Sequence, residues 1–360
     1  MHQLHHPQDA GKGLEPLPAE DQTTKSVSVK AMKTKPKTTH FPLSVIAASY
    51  LGPSLTPNEE APWEEAALPL SCDDLVQNVL GQPMRRAGRF IKMVCAGAAA
   101  CLKNAPSGLT QSKRTGIFLS TGLGNGDEIL PFITQVFLHD GGFPRPNQFA
   151  NSVSNAAAFF LAQHCGIKGV ILTLSEEELS FESALWLAQT FLESGEIDLA
   201  LVGGCDVYTP TVDEYRDRMN ARAENSRALP IGEGSSWLLL GGPEMPGIGT
   251  IRSVDIGFQK VWPDEYLESE DFLLRLREIG EVTQASQRFL LPGFRVKQLQ
   301  AGPAGAQGWS IHDYLPSCGL HPTAAAFGLA QAFWKLPSSL LVHFNCSDAG
   351  KPALVVAQTT

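Results

Sequence analysis

The sequence lacks the features that would place it in several common classes. No apolar run among its 360 residues reaches the roughly 20 residues of a membrane span, and its start shows no signal peptide. The net charge is −9, which argues against nucleic acid as a partner. We therefore expect a cytoplasmic protein with no membrane span.

Cysteine is sparse and carries no metal-binding pattern. The seven cysteines are an odd number without the short paired spacings of zinc sites, so we expect no metal and no cofactor. Apolar or small neighbours surround five of them, as is typical of reduced core thiols in a cytosolic protein. These five are Cys95, Cys101, Cys165, Cys205 and Cys318.

Residues 1–40 differ from the rest of the chain. They are polar, lack apolar periodicity, and contain His2, His5 and His6 together with several lysines. This composition predicts a disordered leader. A metal role for the histidines and a weak electrostatic contact through the lysines are the less favoured alternatives.

From Phe41 onwards strand and helix patterns alternate, and 43% of the whole chain is hydrophobic. Strands are predicted at 43–48, 115–121, 170–174, 198–203, 235–240, 251–256, 340–344 and 353–357. Helices are predicted at 85–100, 127–138, 151–165, 180–195, 270–280 and 324–334. The alternation predicts an α/β fold with a mostly parallel sheet covered on both faces. The two halves share this order without measurable sequence repetition.

Five sequence blocks resemble a β-ketoacyl synthase in their order and spacing: 84–86 with the helix after it, 116–126, 146–155, 195–206 and 231–234. The resemblance is close over 41–245, loose over 310–357, and fails between 257 and 310. It implies a thiolase-like fold, in which two related βαβαβαββ halves form five αβαβα layers. The halves would be 41–245 and a shortened second half, 246–360.

The family places a nucleophilic cysteine in a strand-to-helix turn, and this register puts Glu178 at that position, after Glu176 and Glu177. A carboxylate cannot replace a thiolate in acyl-thioester chemistry, because the product would be a mixed anhydride that water destroys. Three roles remain open for Glu178. It is a favourable charge at a helix N-terminus, a group that assists decarboxylation, or a polar plug in the cavity an acyl group would use.

The other groups that the family needs are also altered. Residues 315–326 resemble the block of the second active-site histidine, with His321 in place as either a functional group or a relic. The lysine expected five residues earlier is Pro316, and the block His-Gly-Thr-Gly-Thr of the first histidine is absent. Cys346 stands at the position of a mobile phenylalanine in a glycine-rich gating loop. Cys346 and Cys205 are weak substitutes for the nucleophile because neither has a base beside it in sequence.

Ketosynthases resemble one another in forming two-fold dimers. In that family the segment similar to 146–155 crosses the interface, with Asn155 at its end here, and reaches the neighbour's acyl pocket. A bulky side chain at the tunnel floor blocks chain extension because a filled core yields only with strain. The alternative is that such residues are ordinary core and interface positions. The candidates are Ile129, Phe132, Ile133, Gln148 and Phe149.

Simultaneous loss of nucleophile, first histidine, lysine and gate favours a partner subunit. The chain resembles chain-length factors, the cysteine-lacking partners of type II polyketide systems, and especially the ketosynthase-like subunits of aryl polyene clusters. The resemblance implies an inactive subunit that pairs with an active β-ketoacyl-ACP synthase and meets acyl carrier protein through that complex. One alternative is a malonyl-ACP decarboxylase or acyltransferase using Glu178 or His321. Another is a binding module that holds carrier protein near Arg85, Arg86 and Arg89.

Overall fold

The computed structural model describes residues 41–138, 146–209, 229–257, 270–283, 285–293, 308–347 and 349–360. The predicted leader, 1–40, lies outside the described residues. So do residues 143–145 of the segment 143–146, which its two prolines predict to be a loop. Within the described ranges, no helix combines the length and the apolar character needed to cross a membrane.

Within its described residues, the first half of the chain supplies five strands and seven helices. The strands are β1 (Leu43–Ser49), β2 (Thr115–Ser120), β3 (Ile171–Leu174), β4 (Leu199–Asp206) and β5 (Gly234–Gly241). The helices are α1 (Asp73–Leu80), α2 (Arg89–Lys103), α3 (Leu109–Ser112), α4 (Gly126–Leu138), α5 (Pro146–Asn151), α6 (Asn155–Cys165) and α7 (Ser180–Glu193). Two short 3-10 turns lie at Glu65–Ala67 and Glu177–Leu179.

The second half repeats the strand pattern in fewer residues. Its strands are β6 (Gly249–Ile256), β7 (Gln287–Pro292), β8 (Ser310–Ile311), β9 (Ser339–Cys346) and β10 (Pro352–Thr359). Its helices are α8 (Glu270–Val282), α9 (Leu315–Cys318) and α10 (Ala324–Lys335). Strands β7 and β8 and helix α9 were not predicted, because Arg288 and Pro292 interrupt the apolar pattern of β7 and the other two elements are short.

The strand order shows that the halves are related. The ten strands run β3-β2-β4-β5-β1-β6-β10-β9-β7-β8. When the five strands of each half are numbered 1 to 5 in chain order, the first half has the order 3-2-4-5-1. The second half has the mirror order, 1-5-4-2-3. The halves join where three residues of β1, starting at Leu43, pair with three of β6, starting at Ile251. The predicted thiolase-like fold of two related halves is therefore confirmed.

The two sheet halves and the helices form five layers, and three hydrophobic clusters fill the space between these layers. Helices α2 and α6 cover the outer face of the first sheet half, and α8 covers the outer face of the second. Helices α7 and α10 lie in the central layer, where apolar residues of both sheet halves surround them. Close packing of α2 depends on Gly97, since a Cβ there would clash with Ser235 of β5.

Two sequence-based expectations were wrong. The sheet is mixed rather than mostly parallel, since five of its nine strand pairings are antiparallel. Strands such as β9 and β10 are joined without a crossover helix, and a short connection produces antiparallel pairing. Repetition between the halves also exists: the helices that precede the fourth strand of each half, α7 and α10, contain Leu-Ala-Gln-Thr-Phe at 187–191 and Leu-Ala-Gln-Ala-Phe at 329–333.

Candidate functional site

The turn between β3 and α7 carries the three glutamates that the sequence resemblance predicts at the nucleophile position. Ser180 holds this turn closed: its Oγ accepts the N–H of Glu176 at 2.8 Å and lies 2.7 Å from the carbonyl oxygen of Glu177. Glu177 has a φ of 47°, an unusual angle for a residue with a side chain. Glu178 follows and is buried, with 2% of its surface exposed. The turn therefore presents carboxylates, and no thiol, at the position that the resemblance predicts for the nucleophile.

The His321 segment reaches this turn because Gly122 leaves room for it. A Cβ on Gly122 would clash with Pro322 and would lie 3.1 Å from the carbonyl oxygen of Glu177. The structure thus brings the sequence-predicted segments of Glu178 and His321 together. No three His, Cys, Asp or Glu side chains in the described ranges cluster closely enough to hold a metal ion.

Asp206, at the end of β4, is the hub of the contact with this segment. Its Oδ1 accepts the backbone N–H groups of Gly122 and Leu123 at 2.9 and 2.8 Å, and the hydroxyl of Thr121 at 2.9 Å. Its Oδ2 accepts the N–H and the hydroxyl of Thr323, at 2.9 and 2.8 Å. All five donors are satisfied by one carboxylate that is fully buried.

Asp206 stays ionised despite its burial. Burial alone would raise the pKa of Asp206, but hydrogen bonds and the nearby His321 outweigh it and hold the pKa below its ordinary value. Nδ1 of His321 lies 3.8 Å from Oδ2 of Asp206. Nε2 of His321 is buried and has no hydrogen-bond partner among the described residues. The Nδ1 atom of His321 lies 3.4 Å from the hydroxyl of Thr323, which in turn donates to Asp206, so Thr323 links the imidazole to the carboxylate.

A second buried polar cluster lies on the other side of the turn; Glu182, His343 and Asn345 form it. Nε2 of His343 is 2.8 Å from Oε1 of Glu182, and its Nδ1 is 2.9 Å from the carbonyl oxygen of Leu291. Since a carbonyl oxygen only accepts, Nδ1 carries a proton. Nδ2 of Asn345 donates to Oε1 of Glu182 and to the carbonyl oxygen of Glu178, both at 2.8 Å.

No sequence motif identifies this cluster, although two signals in the sequence point to it. Glu182 is an acid one turn into a helix that is otherwise mostly apolar on its buried face, and His343 lies within the fully buried strand β9. Buried polar residues of this kind need partners. Their partners are far apart in sequence, and only the fold shows which residues they are.

The gate position has a compact structure. Cys346 is the last residue of β9, is fully buried, and pairs with Pro352 of β10. The intervening turn is closed by the N–H of Ser347, which donates to the carbonyl oxygen of Lys351 at 2.9 Å. Lys351 in turn contacts Glu176 at 2.5 Å. The segment that would form a mobile gate is a short hairpin clasped to the β3–α7 turn.

Cys205 is placed unfavourably for a substitute nucleophile. It is fully buried within β4, and burial, reinforced by Asp206, raises the pKa of its thiol well above the ordinary value. A thiol reacts as its thiolate, so this environment suppresses its reactivity.

The Gly-Glu-Gly block at 232–234 stabilises the fold through contacts of Glu233. Glu233 is fully buried and forms a bidentate ion pair with Arg89, at the start of α2. Oε2 of Glu233 also accepts the N–H of Tyr208 at 2.7 Å. Arg89 is therefore committed to an internal partner, while Arg85 and Arg86 are exposed.

The six predicted tunnel and interface residues lie on α4, α5 and α6. Phe132 and Phe149 contact each other, with ring centroids 6.0 Å apart. Phe149 is 59% exposed and Ile133 is 42% exposed, whereas Phe132 is partly buried. Ile129 and Gln148 are also partly buried, and Asn155 is exposed at the start of α6.

Large apolar side chains are exposed mainly around these helices. We call the set the apolar face: Leu130, Ile133, Phe137, Leu138, Phe149, Val153, Phe159, Ile171 and Trp186. Ile171 belongs to β3, which pairs only with β2 among the described strands and so forms one edge of the sheet. Exposed apolar groups in such number, next to an unpaired strand edge, indicate an interaction surface.

Solved structures share this fold. The ishigamide ketosynthase/chain length factor matches with a TM-score of 0.64 and 16% identity, covering 89% of this chain and 99% of that one. A β-ketoacyl synthase from Burkholderia phymatum STM815 matches with a TM-score of 0.65 and 12% identity, covering 89% and 100%. A type II PKS acyl-carrier protein in complex with its ketosynthase bound to the hexaketide gives the same four values. At these identities the likeness shows the fold alone.

Sequence comparison identifies the family. A comparison with curated protein sequences found no match. The profile described as Beta-ketoacyl synthase, N-terminal domain, matches residues 50–233, slightly more than half of the 360 residues. That range contains the β3–α7 turn, the Asp206 hub and the Gly-Glu pair at 232–233. The chain therefore belongs to the β-ketoacyl synthase family.

Proposed function

We propose that this chain is a catalytically inactive, chain-length-factor-like subunit that pairs with an active β-ketoacyl-ACP synthase and helps to shape its acyl tunnel. The observation that carries the proposal is the β3–α7 turn, which offers Glu176, Glu177 and Glu178 and no thiol. The two halves of the scaffold, which we take as 41–245 and 246–360, are kept around it. A family member that keeps the scaffold without its nucleophile can still contribute shape.

The apolar face supports pairing with another chain. Helices α6 and α7 both pack against the edge strand β3, and Phe159 and Trp186 on these helices are each about half exposed. Burial of apolar area stabilises association by roughly 25 cal/mol for each Å². An active ketosynthase is the partner that supplies the missing cysteine, and acyl carrier protein reaches this chain through that complex.

The position of Phe149 supports the tunnel role. Phe149 projects from α5 within the apolar face and is braced by Phe132 of α4. A large rigid side chain held in this way limits the space that a partner's tunnel can use. We further infer that the complex belongs to cytoplasmic polyketide biosynthesis of the polyene type.

Co-expression with an active β-ketoacyl-ACP synthase from the same organism tests the pairing. We expect native mass spectrometry to find a one-to-one complex. Phe137→Asp, which puts a charge in the apolar face, should reduce its yield at least tenfold. Val282→Asp on α8 is the matched control, because Val282 is 80% exposed and Phe137 is 79% exposed. Two separate homodimers, or equal effects of the two substitutions, would contradict the proposal.

The tunnel role has its own readout in the same complex. Phe149→Ala should add longer products, resolved by liquid chromatography and mass spectrometry, because it removes the ring at the proposed floor. Leu274→Ala, an exposed α8 residue outside the apolar face, should leave product length unchanged. An unchanged product profile in a Phe149→Ala complex of normal yield would remove tunnel shaping from the proposal.

The buried, unpartnered Nε2 of His321 favours a second candidate function, decarboxylation of malonyl-ACP or acyl transfer with Glu178. Turnover of malonyl-ACP by this chain alone, lost in Glu178→Ala, would establish it. The carrier-protein binding module is less well supported. Arg89 is already paired with Glu233, which leaves only Arg85 and Arg86 of that cluster for an acidic carrier protein.

A further inference from the structure

The cluster of Glu182, His343 and Asn345 is a buried polar group in an apolar layer. Glu182 and His343 are 0% exposed and Asn345 is 1% exposed. Phe181, Leu291 and other apolar residues of the central layer surround them. The cluster joins α7 of the first half to β9 of the second, so it spans the layer in which the two halves meet.

Stability alone does not account for such a cluster. A buried acid–histidine pair, like a buried ion pair, is usually no better for stability than apolar side chains of similar volume, because both groups must lose their water. The chain nonetheless keeps an acid on α7 facing a histidine on β9. Oε2 of Glu182 and the hydroxyl of Tyr314 have no hydrogen-bond partner among the described residues, and the Tyr314 ring centroid is 6.5 Å from that of His343. This part of the layer is therefore polar beyond the three residues of the cluster.

The cluster is in direct contact with the nucleophile-position turn. The single Nδ2 group of Asn345 lies 2.8 Å both from the carbonyl oxygen of Glu178 and from Oε1 of Glu182. Its Oδ1 accepts the N–H of Cys346 at 2.9 Å. The turn, the gate position and the buried Glu182–His343 pair are thus held together by one amide side chain.

We propose that Glu182, His343 and Asn345 close this chain's own acyl pocket, so that hydrophobic acyl chains enter only the partner. This inference rests on the proposed function, which assigns the acyl tunnel to the partner. A hydrocarbon chain offers no hydrogen bonds, so its entry would separate these groups and leave them buried without partners. Exclusion is therefore chemical as well as steric, and it resides in Glu182 and His343 rather than in Glu178 alone.

Binding of dodecanoic acid to the purified full chain tests the inference. Wild type should show no saturable binding by isothermal titration calorimetry. E182A/H343A, which removes both polar side chains and opens their volume, should bind with a Kd at least tenfold lower than any residual wild-type value. Leu329→Ala is the matched control, because Leu329 is equally buried in the central layer, on α10, and lies outside the cluster. It should not bind.

Two further variants keep the test decisive. E182L/H343A fills the α7 side with an apolar group and opens only the β9 side, and it replaces E182A/H343A if the latter does not fold. E182L/H343L keeps the volume, and its Tm should match or exceed that of wild type. Saturable wild-type binding, absence of binding in the folded open variants, or a large loss of Tm in E182L/H343L would each overturn the inference.

The outcome is separable from that of the proposed function. Pairing is scored by native mass spectrometry with the ketosynthase, and closure is scored by fatty acid binding to this chain alone. A chain that excludes dodecanoic acid but forms no heterodimer would overturn the proposed function while leaving the closed pocket in place.

Discussion

The two halves of the molecule contact each other reciprocally, and the two contacts differ in one respect. Asp206 lies at the end of β4, the fourth strand of the first half. It accepts two hydrogen bonds from Thr323, the residue that precedes α10. His343 and Asn345, in the fourth strand of the second half, bind the start of α7 through Glu182 and the Glu178 carbonyl. Each half therefore anchors the N-terminal end of the central helix of the other.

The difference lies in how completely each acid is satisfied. Both oxygens of Asp206 are used, by five donors, and the pKa of this carboxyl is lowered. Glu182 uses only Oε1, and Oε2 has no partner among the described residues. A buried network in which every polar atom has a hydrogen bond rigidifies a fold. A buried network with an unbonded polar atom indicates a position where a requirement other than stability acts. The first contact supports the scaffold, and the second lies at the altered site.

The largest expected effect is a difference in the free energy of unfolding between variants of Asp206 and Glu182. Asp206→Asn places an amide N–H₂ against N–H and O–H donors, so we expect a loss of about 3–5 kcal/mol in the free energy of unfolding. Glu182→Gln should cost about 1–2 kcal/mol, because fewer bonds are broken. Urea denaturation measures both. Asp198→Asn is the control, since its ion pair with Arg114 is exposed and worth at most about 1 kcal/mol. Equal losses for Asp206 and Glu182 would remove the distinction.

Acid titration should separate Asp206 from Asp127, a partly buried acid of the first half whose pKa is shifted in the opposite direction. The lowered pKa of Asp206 means that its contribution is present at neutral pH and is lost as pH falls through that pKa. For Asp127, burial and then Glu128 raise the pKa to about 6. The folded state therefore holds this proton more tightly than the unfolded chain, and stability falls as pH rises from about 4 through 6.

Asp127→Asn should accordingly raise Tm by a few degrees at pH 7.5 and give no gain at pH 4.5. Differential scanning fluorimetry across this range measures the effect. Asp74→Asn, an exposed acid in the first turn of α1, is the control and should show no such pH-dependent gain. A gain of the same size at both pH values would mean that Asp127 acts through packing and not through its charge.

The smallest expected effect compares the two central helices by fluorescence. Trp186 on α7 and Trp334 on α10 are 50% and 48% exposed, but only Trp186 belongs to the apolar face. Binding of the ketosynthase should shift the emission of Trp186 to the blue as water leaves its ring. Trp186→Phe should abolish most of the shift and Trp334→Phe should preserve it. A shift that survives Trp186→Phe unchanged would place the interface elsewhere.

The parts of the fold that the sequence could predict are those set by local patterns. Helix α7 was predicted to within two residues because its apolar period is regular and Gly195, with a φ of 70°, stops it. Strand β7 was missed because its charged and proline residues break the pattern that a buried strand normally shows. The antiparallel pairings were missed because they depend on how the connections run and not on any residue in the strands.

The same distinction between local patterns and long-range contacts applies to the candidate site. The convergence of Glu178, His321 and Cys346 followed from order and spacing within a resemblance. The link between Glu182 and His343 did not, because 161 residues separate them and neither belongs to a motif. In the sequence, Asp206 is simply the last residue of the 195–206 block. Its five donors come from residues 121–123 and from Thr323, and these two segments lie close together because Gly122 leaves room for Pro322.

The hairpin between β9 and β10 has an evolutionary consequence. A cysteine placed at position 178 would lie next to a hairpin whose turn is closed by Ser347 and held by Lys351. On the proposed role, condensing activity would need new loop residues and a new histidine as well as this cysteine. Each change alone would restore no activity, so the hairpin favours retention of the chain's present role.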